Sequence, residues 1–299
     1  MQFSVIIPCF NASSTIYRCL ISVENQSHKP SEIIIIDDAS DDFKDTLKII
    51  NHFKNKMPIK LIRNKINRNG AFSRNVGIDQ SFGDYLAFLD SDDTWENDRL
   101  ESAKNLIEQL PDQKFIIYGK FDLVMSSIQS VSLPLRGIKL GELVTEYVFA
   151  AGQQMQTSTF LCPAKIAKKI KFDPNLSRHQ DSDFMMRAQA NGISLIFQNK
   201  KCASYFFSKD DMKSRLKSNR INIEFCNNWL SSKSKFFNSK AIAGYKVSVY
   251  ARVLYLQGDK IKALAMICKA FYKIGFGNFY DLTNMKLRIF SFNFFKFLK

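Results

Sequence analysis

Short continuous apolar runs alternate with segments of helical periodicity over the first part of the chain. The run of four isoleucines at 33–36 is typical of a strand buried on both faces, as in parallel sheets. The alternation predicts an α/β fold: a mostly parallel, doubly wound sheet flanked by helices, at least up to residue 118. Strands are predicted at 3–8, 32–37, 59–62, 85–89 and 114–118, and helices at 13–23, 43–50, 71–81 and 96–110.

The periodicity weakens after this region. Residues 119–156 predict irregular loops and short helices. Residues 200–299 no longer alternate strands with helices. Two helices at 242–256 and 261–274, separated by the turn at 257–259, predict a helical hairpin with Gly258 at the stop. We therefore expect a main domain, 1–205, with halves 1–118 and 119–205, and a helical extension, 206–299. The main domain should also contain strands at 157–162 and 193–198 and helices at 163–169 and 181–190.

Charge separates the extension from the rest of the chain. Residues 200–299 hold 20 Lys and Arg against 5 Asp and Glu, which accounts for the whole net charge of +15. Thirteen of the 27 phenylalanines lie there too. The segment 286–299 is basic and rich in phenylalanine, which favours either an anionic membrane surface or packing on the hairpin. Nucleic-acid binding is not expected, because no reader motif accompanies the charge.

The six cysteines form no Cys-x-x-Cys pair and no metal-finger spacing, so a reduced, cytoplasmic protein is expected. The amino terminus lacks the basic start and long apolar run of a signal peptide. No apolar segment is long enough to span a bilayer.

Acidic side chains follow the strand at 85–89. Asp90 and Asp92 flank Ser91, so both carboxylates can approach one hard cation that also binds substrate phosphates, which is how magnesium binds. Asp93, with Glu96 three residues on, fits the cap of the next helix. That cap leaves the pair Asp90 and Asp92 without an explanation.

Two other strand ends carry polar residues, at Pro8–Asn11 and at Asp37–Asp38. Because the carboxyl ends of parallel strands meet at one rim, these residues and Asp90–Asp92 should line a single crevice. An acid after the second strand suits a hydrogen bond to a base or ribose. Neither a Gly-x-Gly-x-x-Gly turn nor a P-loop is present, which argues against a dehydrogenase or a P-loop enzyme. A cation from Arg68 or Arg74 could assist a metal at the phosphates.

A second acidic group lies at Asp181 and Asp183, in the first turn of a predicted helix. A simple helix cap explains one of them. The other could face the crevice as a general base. Spacing alone does not decide which residue has which role.

Five motifs in this order resemble family-2 glycosyltransferases with the GT-A fold, and together they cover about residues 1–200. The motifs are VIIPCFN at 5–11, IIIDDAS at 34–40, NGAFSRNVG at 69–77, FLDSDD at 88–93 and RHQDSDF at 178–184.

This resemblance implies an inverting transfer of a sugar from a nucleotide-diphosphate donor to an acceptor hydroxyl. Asp90-Ser91-Asp92 matches the family's D-x-D, with Asp92 and Asp90 holding Mn²⁺ or Mg²⁺. Asp181 matches the catalytic base, although Gln180 replaces the usual glutamate beside it. The other residues implied to bind the nucleotide sugar are Pro8, Phe10, Asn11, Asp38, Asn69, Gly70, Arg74, Asp90 and Ser91.

The resemblance also implies partners. A UDP-sugar is the first expectation for the donor, and the acceptor is expected to be a glycan or a lipid-linked sugar. Residues 119–176, including Gln153, Gln154 and Thr157–Thr159, are expected to shape the sugar and acceptor pocket. The basic segment 286–299 suggests a peripheral protein on the inner face of the membrane. The alternatives are a nucleotidyltransferase or a non-catalytic basic module for membranes or nucleic acid.

Overall fold

The computed structural model describes residues 1–126, 129–206 and 222–282. The chain forms two compact units. Unit one comprises Met1–Leu123 and Met155–Phe206, and unit two comprises Val124–Gln154 together with the described residues 222–282. The predicted boundary at 205 and the functional halves of 1–205 remain predictions.

Unit one alternates strands and helices, as the sequence predicts, so the mixed α/β class is confirmed. Its strands are β1 (Phe3–Cys9), β2 (Glu32–Asp37), β3 (Ile59–Arg63), β4 (Tyr85–Phe88), β5 (Thr94–Trp95), β6 (Phe115–Ser126, whose end enters unit two), β8 (Leu161–Pro163) and β9 (Ser194–Phe206). Its helices are α1 (Ile16–Glu24), α2 (Phe43–Lys54), α3 (Asn69–Gln80), α4 (Arg99–Ile107), α5 (Ala164–Ile170) and α6 (Gln180–Ala190).

The first four strands of the sheet are parallel. β1 lies between β2 and β4, and β3 lies beyond β2. Every residue of β1, β2 and β4 is buried, which explains why their sequences are mostly apolar and do not alternate with polar residues. In this register Cys9 pairs with Asp37 and Ile6 with Phe88. The ends of β1, β2 and β4 therefore lie at one edge of the sheet.

Antiparallel pairs follow in the rest of the sheet. β8 pairs antiparallel with both β4 and β6, and β5 pairs antiparallel with β9. The strand predicted at 114–118 is the start of β6. Because β4 and β6 are both antiparallel to β8, β6 runs in the same direction as β1–β4, but β8 lies between it and β4.

Close packing of α3 on the sheet requires glycine at residue 77. A Cβ atom there would lie 2.5 Å from Cγ2 of Ile6 and 2.9 Å from Cδ1 of Ile36. Both distances are shorter than real carbon contacts. Gly77 thus lets α3 lie directly on β1 and β2, and this contact fixes the helix that carries Arg74.

The helix predicted at 96–110 is shorter and begins later, at Arg99. Asp93 is not its cap, so that prediction is wrong. Thr94 and Trp95 are extended and pair with Ser204 and Ala203 of β9. This pairing holds the chain away from helical geometry directly after Asp93.

The strand predicted at 157–162 is wrong in its first half. Thr157–Thr159 form a 3₁₀ turn with all three side chains buried, and β8 begins only at Leu161. Buried hydroxyl groups need hydrogen-bond partners, and a turn allows the three side chains to point in different directions toward such partners.

Unit two contains the helical hairpin that the sequence predicts. Gly258, with φ of 94°, separates its helices, and Ala251, Leu254 and Ala263 form a small core between them. The loops predicted at 119–156 are interrupted by the end of β6 and by another strand. The elements of unit two are β7 (Gln129–Leu133), helical turns at Glu146–Ala150, Ser234–Phe236 and Lys246–Tyr250, α7 (Ile223–Ser232), α8 (Ser239–Tyr245), α9 (Ala251–Leu256) and α10 (Lys260–Ile274).

The basic segment predicted to bind membranes, 286–299, lies outside the described residues. Among the described helices, none combines the length and the apolar character needed to cross a bilayer.

Candidate active site

The end of β1 forms one wall of the site. Pro8 is buried in the strand, whereas Phe10 is half-exposed. Asn11 has a left-handed backbone with φ of 49°, which asparagine tolerates better than most residues. Its Oδ1 accepts from the backbone N–H of Asp41 at 2.9 Å, and its own N–H donates to Oγ of Ser40 at 2.9 Å. These bonds join the loops that follow β1 and β2.

Asp38, directly after β2, organises the loop between β3 and α3. Its carboxylate is buried and accepts from Nδ2 of Asn64 at 2.7 Å and from the backbone N–H of Arg68 at 3.0 Å. Its backbone N–H donates to the carbonyl of Cys9 at 2.8 Å. A cleft of about 400 Å³ lined by Arg63, Asn64 and Lys65 opens in this region.

The start of α3 is shaped by Asn69 and Gly70. Asn69 is left-handed, with φ of 71°, and its Oδ1 accepts from the backbone N–H of Ala71 at 2.9 Å, which satisfies a donor in the first turn. Its Nδ2 donates to the carbonyl of Pro174 at 2.8 Å. A Cβ atom on Gly70 would lie 3.2 Å from Nη1 of Arg74. Glycine therefore leaves room for the arginine that follows it on the helix.

Arg74 connects the acidic loop after β4 to the first turn of α6. Its Nη2 donates to Oδ1 of Asp90 at 2.5 Å, and its Nη1 donates to Oε1 of Gln180 at 2.9 Å. Burial by itself would lower the pKa of Arg74, but the carboxylates of Asp90 and Asp181 raise it. The side chain is therefore a permanent buried cation between these two groups.

Asp90 and Asp92 differ in their surroundings. Asp90 is partly buried, and its backbone N–H donates to Oγ of Ser158 at 3.1 Å. Asp92 is exposed, and its carbonyl accepts from Nη2 of Arg18 at 2.5 Å. Ser91, between them, is buried, and its side chain forms a hydrogen bond with the Cys9 side chain. The Asp90 carboxylate is thus held by Arg74, and Asp92 lies at the surface.

Asp93 is a site residue whose role the sequence did not reveal. It is fully buried, and its Oδ2 accepts from Oγ of Ser158 at 2.5 Å and from Nε2 of Gln156 at 3.2 Å. Burial, together with the nearby charges of Asp92 and Asp90, raises the pKa of Asp93 well above its ordinary value. Asp93 therefore fastens the turn at 156–158 beneath the Asp90–Asp92 loop.

Asp181 lies in the first turn of α6, and its Oδ1 accepts from Oγ1 of Thr157 at 2.6 Å. Burial raises the pKa of Asp181, while Arg74 and the hydroxyl of Thr157 oppose that rise. A carboxylate with a raised pKa is a better proton acceptor near neutral pH than an ordinary aspartate.

Asp183 has a structural role instead. It is fully buried, and its Oδ2 accepts from Nε of Arg187 one helical turn later at 2.7 Å. The same guanidinium donates to the carbonyls of Ile170 and Lys171 at 2.5 and 2.6 Å, which ties α6 to the end of α5. Of the two acids that the sequence left open, Asp181 is thus the one beside Arg74 and Thr157.

Gln180 stands where the resemblance leads us to expect a glutamate, and the structure explains what the amide does. Its Oε1 accepts from Arg74, and its Nε2 donates to the carbonyl of Leu176 at 2.7 Å. An ionised glutamate has no donor for that carbonyl. Gln180 therefore orients Arg74 without adding a negative charge beside Asp181.

The residues present fit a divalent cation that also binds a diphosphate. In the part of the chain that the structure describes, no group of three or more His, Cys, Asp or Glu residues could hold a metal ion by itself. Mg²⁺ and similar ions need only one or two protein carboxylates when phosphates supply the other ligands. Asp92, exposed at the strand end, with Asp90 beside it, offers such carboxylates.

Of the residues expected to shape the acceptor pocket, the structure places Thr157–Thr159 at this site and Gln153 in unit two. Gln153 is buried, accepting from the N–H of Leu135 at 2.8 Å and donating to the carbonyl of Ala151 at 3.3 Å. These hydrogen bonds connect the loop at Gln153 to the loop at Leu135.

Comparison with known proteins identifies the family. Residues 4–131 match the profile of glycosyl transferase family 2. The amylovoran biosynthesis glycosyltransferase AmsB of Erwinia amylovora is 30% identical over 290 residues, which is 95% of this chain and 92% of AmsB. The chain belongs to glycosyltransferase family 2. The profile match includes Asp38, Asp90 and Asp92 but ends before Asp181.

Two further proteins resemble this glycosyltransferase. WfaP of Escherichia coli, a UDP-Glc:α-D-GlcNAc-diphosphoundecaprenol β-1,3-glucosyltransferase, is 35% identical over 131 residues, 42% of this chain and 50% of WfaP. A crystal structure of TarS residues 1–349 from S. aureus in complex with UDP-GlcNAc matches with a TM-score of 0.61 and 19% identity, over 92% of this chain and 83% of that one. This likeness confirms the predicted GT-A fold.

Proposed function

We propose that this glycosyltransferase is a metal-dependent, inverting enzyme that transfers a sugar from a nucleotide-diphosphate donor to an acceptor hydroxyl. One observation carries the proposal: Arg74 donates to Asp90 and to Gln180, the neighbour of Asp181. The candidate metal loop and the candidate base therefore belong to one connected cluster, although 90 residues separate them in sequence.

The nucleotide would bind along the ends of β1 and β2. Half-exposed Phe10 and the turn at Asn11 would border the base, together with Pro8, and Asp38 would form a hydrogen bond with the base. Asn69 and Gly70, at the start of α3, would complete the donor site. TarS has been crystallised with UDP and with UDP-GlcNAc, which supports a UDP-sugar as the first donor to test.

Asp92, with Asp90 and Ser91, would meet the donor's diphosphate. Mn²⁺ or Mg²⁺ bound there would neutralise the charge that develops on the leaving diphosphate. Arg74 holds Asp90 in place through a bond of 2.5 Å, so one oxygen of that carboxylate is committed to the arginine. Asp92 would therefore contribute the main protein ligand.

Asp181 would act as the general base. Its carboxylate removes the proton of the acceptor hydroxyl while that oxygen attacks the anomeric carbon of the donor. The bond between the anomeric carbon and the phosphate oxygen breaks, and its electron pair leaves with the nucleoside diphosphate. Attack from the face opposite the leaving group inverts the configuration at that carbon.

The acceptor would be a glycan or a sugar on a lipid diphosphate. WfaP is named for an acceptor on diphosphoundecaprenol, and AmsB for the synthesis of a polysaccharide. The strongly basic 200–299 region would keep the enzyme at the inner face of the membrane as a peripheral protein. The segment 286–299 remains a proposed part of that contact.

Membership of a glycosyltransferase family speaks against the two alternatives from the sequence, a nucleotidyltransferase and a non-catalytic binding module. The 1–205 region is accordingly proposed as the catalytic domain and 206–299 as its extension.

The substitution Asp181→Asn tests the proposal. Donor binding measured by calorimetry should stay close to the wild-type value, while release of nucleoside diphosphate from the bound donor should fall by roughly 10²–10⁴, the usual worth of a general base. Asp183→Asn is the matched comparison. It should lower stability through lost contact with Arg187 but leave turnover of the folded enzyme near normal. Normal turnover by Asp181→Asn would remove Asp181 from the mechanism.

A further inference from the structure

Helix α10 of unit two has two apolar faces, and only one of them is covered. Ala263, Ala270 and Ile274 are buried against residues of α8, α9 and the turns beside them. Their spacing of seven and four residues is that of one helical face. This face accounts for the packing of the helix within unit two.

The opposite face is apolar and open. Ile261 is 87% exposed, Leu264 63% and Tyr272 91%. Cys268 lies between them and is exposed as well. Positions 261, 268 and 272 fall on one line along the helix because seven and eleven residues each complete nearly whole turns. A soluble helix normally presents polar residues here.

Lysines border this open stripe along one side. Lys262, Lys269 and Lys273 repeat the same spacing one residue further on, and all three are exposed. Helix α10 contains no acidic residue, and Lys262 forms an ion pair with Asp259 in the preceding turn at 3.3 Å. The outward surface therefore combines bulky apolar side chains with a row of three lysines whose net charge remains positive.

Exposed aromatic residues extend this surface beyond the end of α10. Gly275, with φ of 80°, ends the helix, and Phe276 and Tyr280 follow as large exposed side chains. The tyrosine ring suits the headgroup boundary of a bilayer because its body is apolar and its hydroxyl is polar, and phenylalanine adds apolar area to an interfacial surface.

We propose that the outward face of α10 lies flat on an anionic membrane surface, with Ile261, Leu264 and Tyr272 inserted at the acyl boundary and the three lysines at the phosphate groups. Helices of this kind bind through their apolar area together with attraction to anionic lipids. The proposed surface is independent of the segment 286–299 and does not depend on the reaction assigned to unit one.

The charge pattern argues against other occupants. A second copy docked on the same face would bring its lysines against these lysines, with no acid on α10 to pair with them. The sequence of residues 283–299 also contains basic residues and no acid, so that segment does not complement the charge either. Anionic lipid headgroups do complement it.

The test uses the full chain and two kinds of vesicle, one of phosphatidylcholine alone and one of equal parts phosphatidylcholine and phosphatidylglycerol. The wild-type protein should float with the anionic vesicles only. The triple variant Lys262→Gln, Lys269→Gln, Lys273→Gln should bind about a hundredfold more weakly, because each lysine near an anionic surface contributes about a factor of five. A matched triple variant at exposed lysines of unit one, Lys44→Gln, Lys54→Gln and Lys169→Gln, should bind like the wild type.

A second variant tests the apolar contribution. Ile261→Ser with Tyr272→Ser keeps every lysine and should still weaken anionic vesicle binding by at least about tenfold. Donor binding by unit one should be unchanged in all variants, which separates this proposal from the proposed reaction.

Three outcomes would overturn the proposal. The first is that the triple lysine variant binds anionic vesicles as well as the wild type does. The second is that the folded wild type does not bind anionic vesicles. The third is that the wild type sediments as a dimer, which Ile261→Ser with Tyr272→Ser converts to a monomer.

Discussion

The hydroxyl of Thr157 should set the pH at which the candidate base becomes active. Its Oγ1 donates to Oδ1 of Asp181 at 2.6 Å, and this bond stabilises the ionised carboxylate against the effect of burial. Arg74 and Asp90 are the other charges that act on Asp181, and neither is altered by a change at Thr157. Thr157→Val keeps the shape of the side chain and removes only the donor.

The size of the effect follows from that hydrogen bond. A bond to a charged group contributes about 1.5–3 kcal/mol, and 1.36 kcal/mol corresponds to roughly one pKa unit. Part of Asp181 remains accessible, so solvent weakens the bond. We therefore expect the low end of this energy range, which corresponds to an increase of about one unit in the pKa of Asp181 in the variant. Losing a donor to the charged form raises the pKa, so the acidic limb of the kcat/KM profile should move to higher pH.

The assay is the release of nucleoside diphosphate across a pH series at fixed metal concentration. Thr157→Ser retains the donor and should keep the wild-type profile. Thr159→Val is a matched control from the same buried turn, since its hydroxyl donates to the carbonyl of Gln156 at 2.7 Å instead. The contrary result is that Thr157→Val reduces activity equally at every pH and leaves the acidic limb in place. Thr157 would then be a packing residue that does not affect the pKa of Asp181.

Three other substitutions test separate parts of the structure. Asp92→Ala should abolish the metal-dependent part of nucleotide diphosphate binding; affinity that manganese still enhances would remove Asp92 from the metal site. Ser158→Ala should lower the free energy of unfolding by about 1–3 kcal/mol, because the buried Asp93 carboxyl loses a donor; an unchanged urea midpoint would contradict this. Gly77→Ala should cost about 1–3 kcal/mol through overpacking against Ile6, and unchanged thermal stability would show that α3 shifts freely.

The parallel half of the sheet could be predicted because its signal is local. A run such as Ile33–Ile36 has few alternatives to a strand buried on both faces, and every one of these side chains is buried. The loop after β1 and the acids after β2 and β4 then meet at one edge as a consequence of strand direction alone. Hence the position of Asp90 and Asp92 was available from the sequence.

Asp93 was misjudged because its partners are distant in sequence. The spacing to Glu96 imitates a capping box, whereas Ser158, whose hydroxyl donates a hydrogen bond to the Asp93 carboxylate, is 65 residues away. Pairing of β5 with β9 decides the backbone there, and neither strand has a strong pattern of its own. Local capping rules cannot anticipate a tertiary contact of this kind.

The choice between Asp181 and Asp183 also required the fold. Both occupy the first turn of α6, and both suit the helix dipole equally well. What separates them is the direction each side chain takes, toward Thr157 or toward Arg187. Only the packing of α6 against its neighbours provides that information.

We propose that a nucleotide-diphosphate sugar and a divalent metal bind together at the end of β4. Calorimetric titration of the full chain with a series of nucleoside diphosphates and nucleotide sugars, with and without manganese, in wild type and in Asp92→Ala, tests this directly. We expect one nucleotide, with UDP the first to test, to bind more tightly with manganese in the wild type but not in Asp92→Ala. Absence of binding by every nucleotide, in protein shown to be folded, would contradict it.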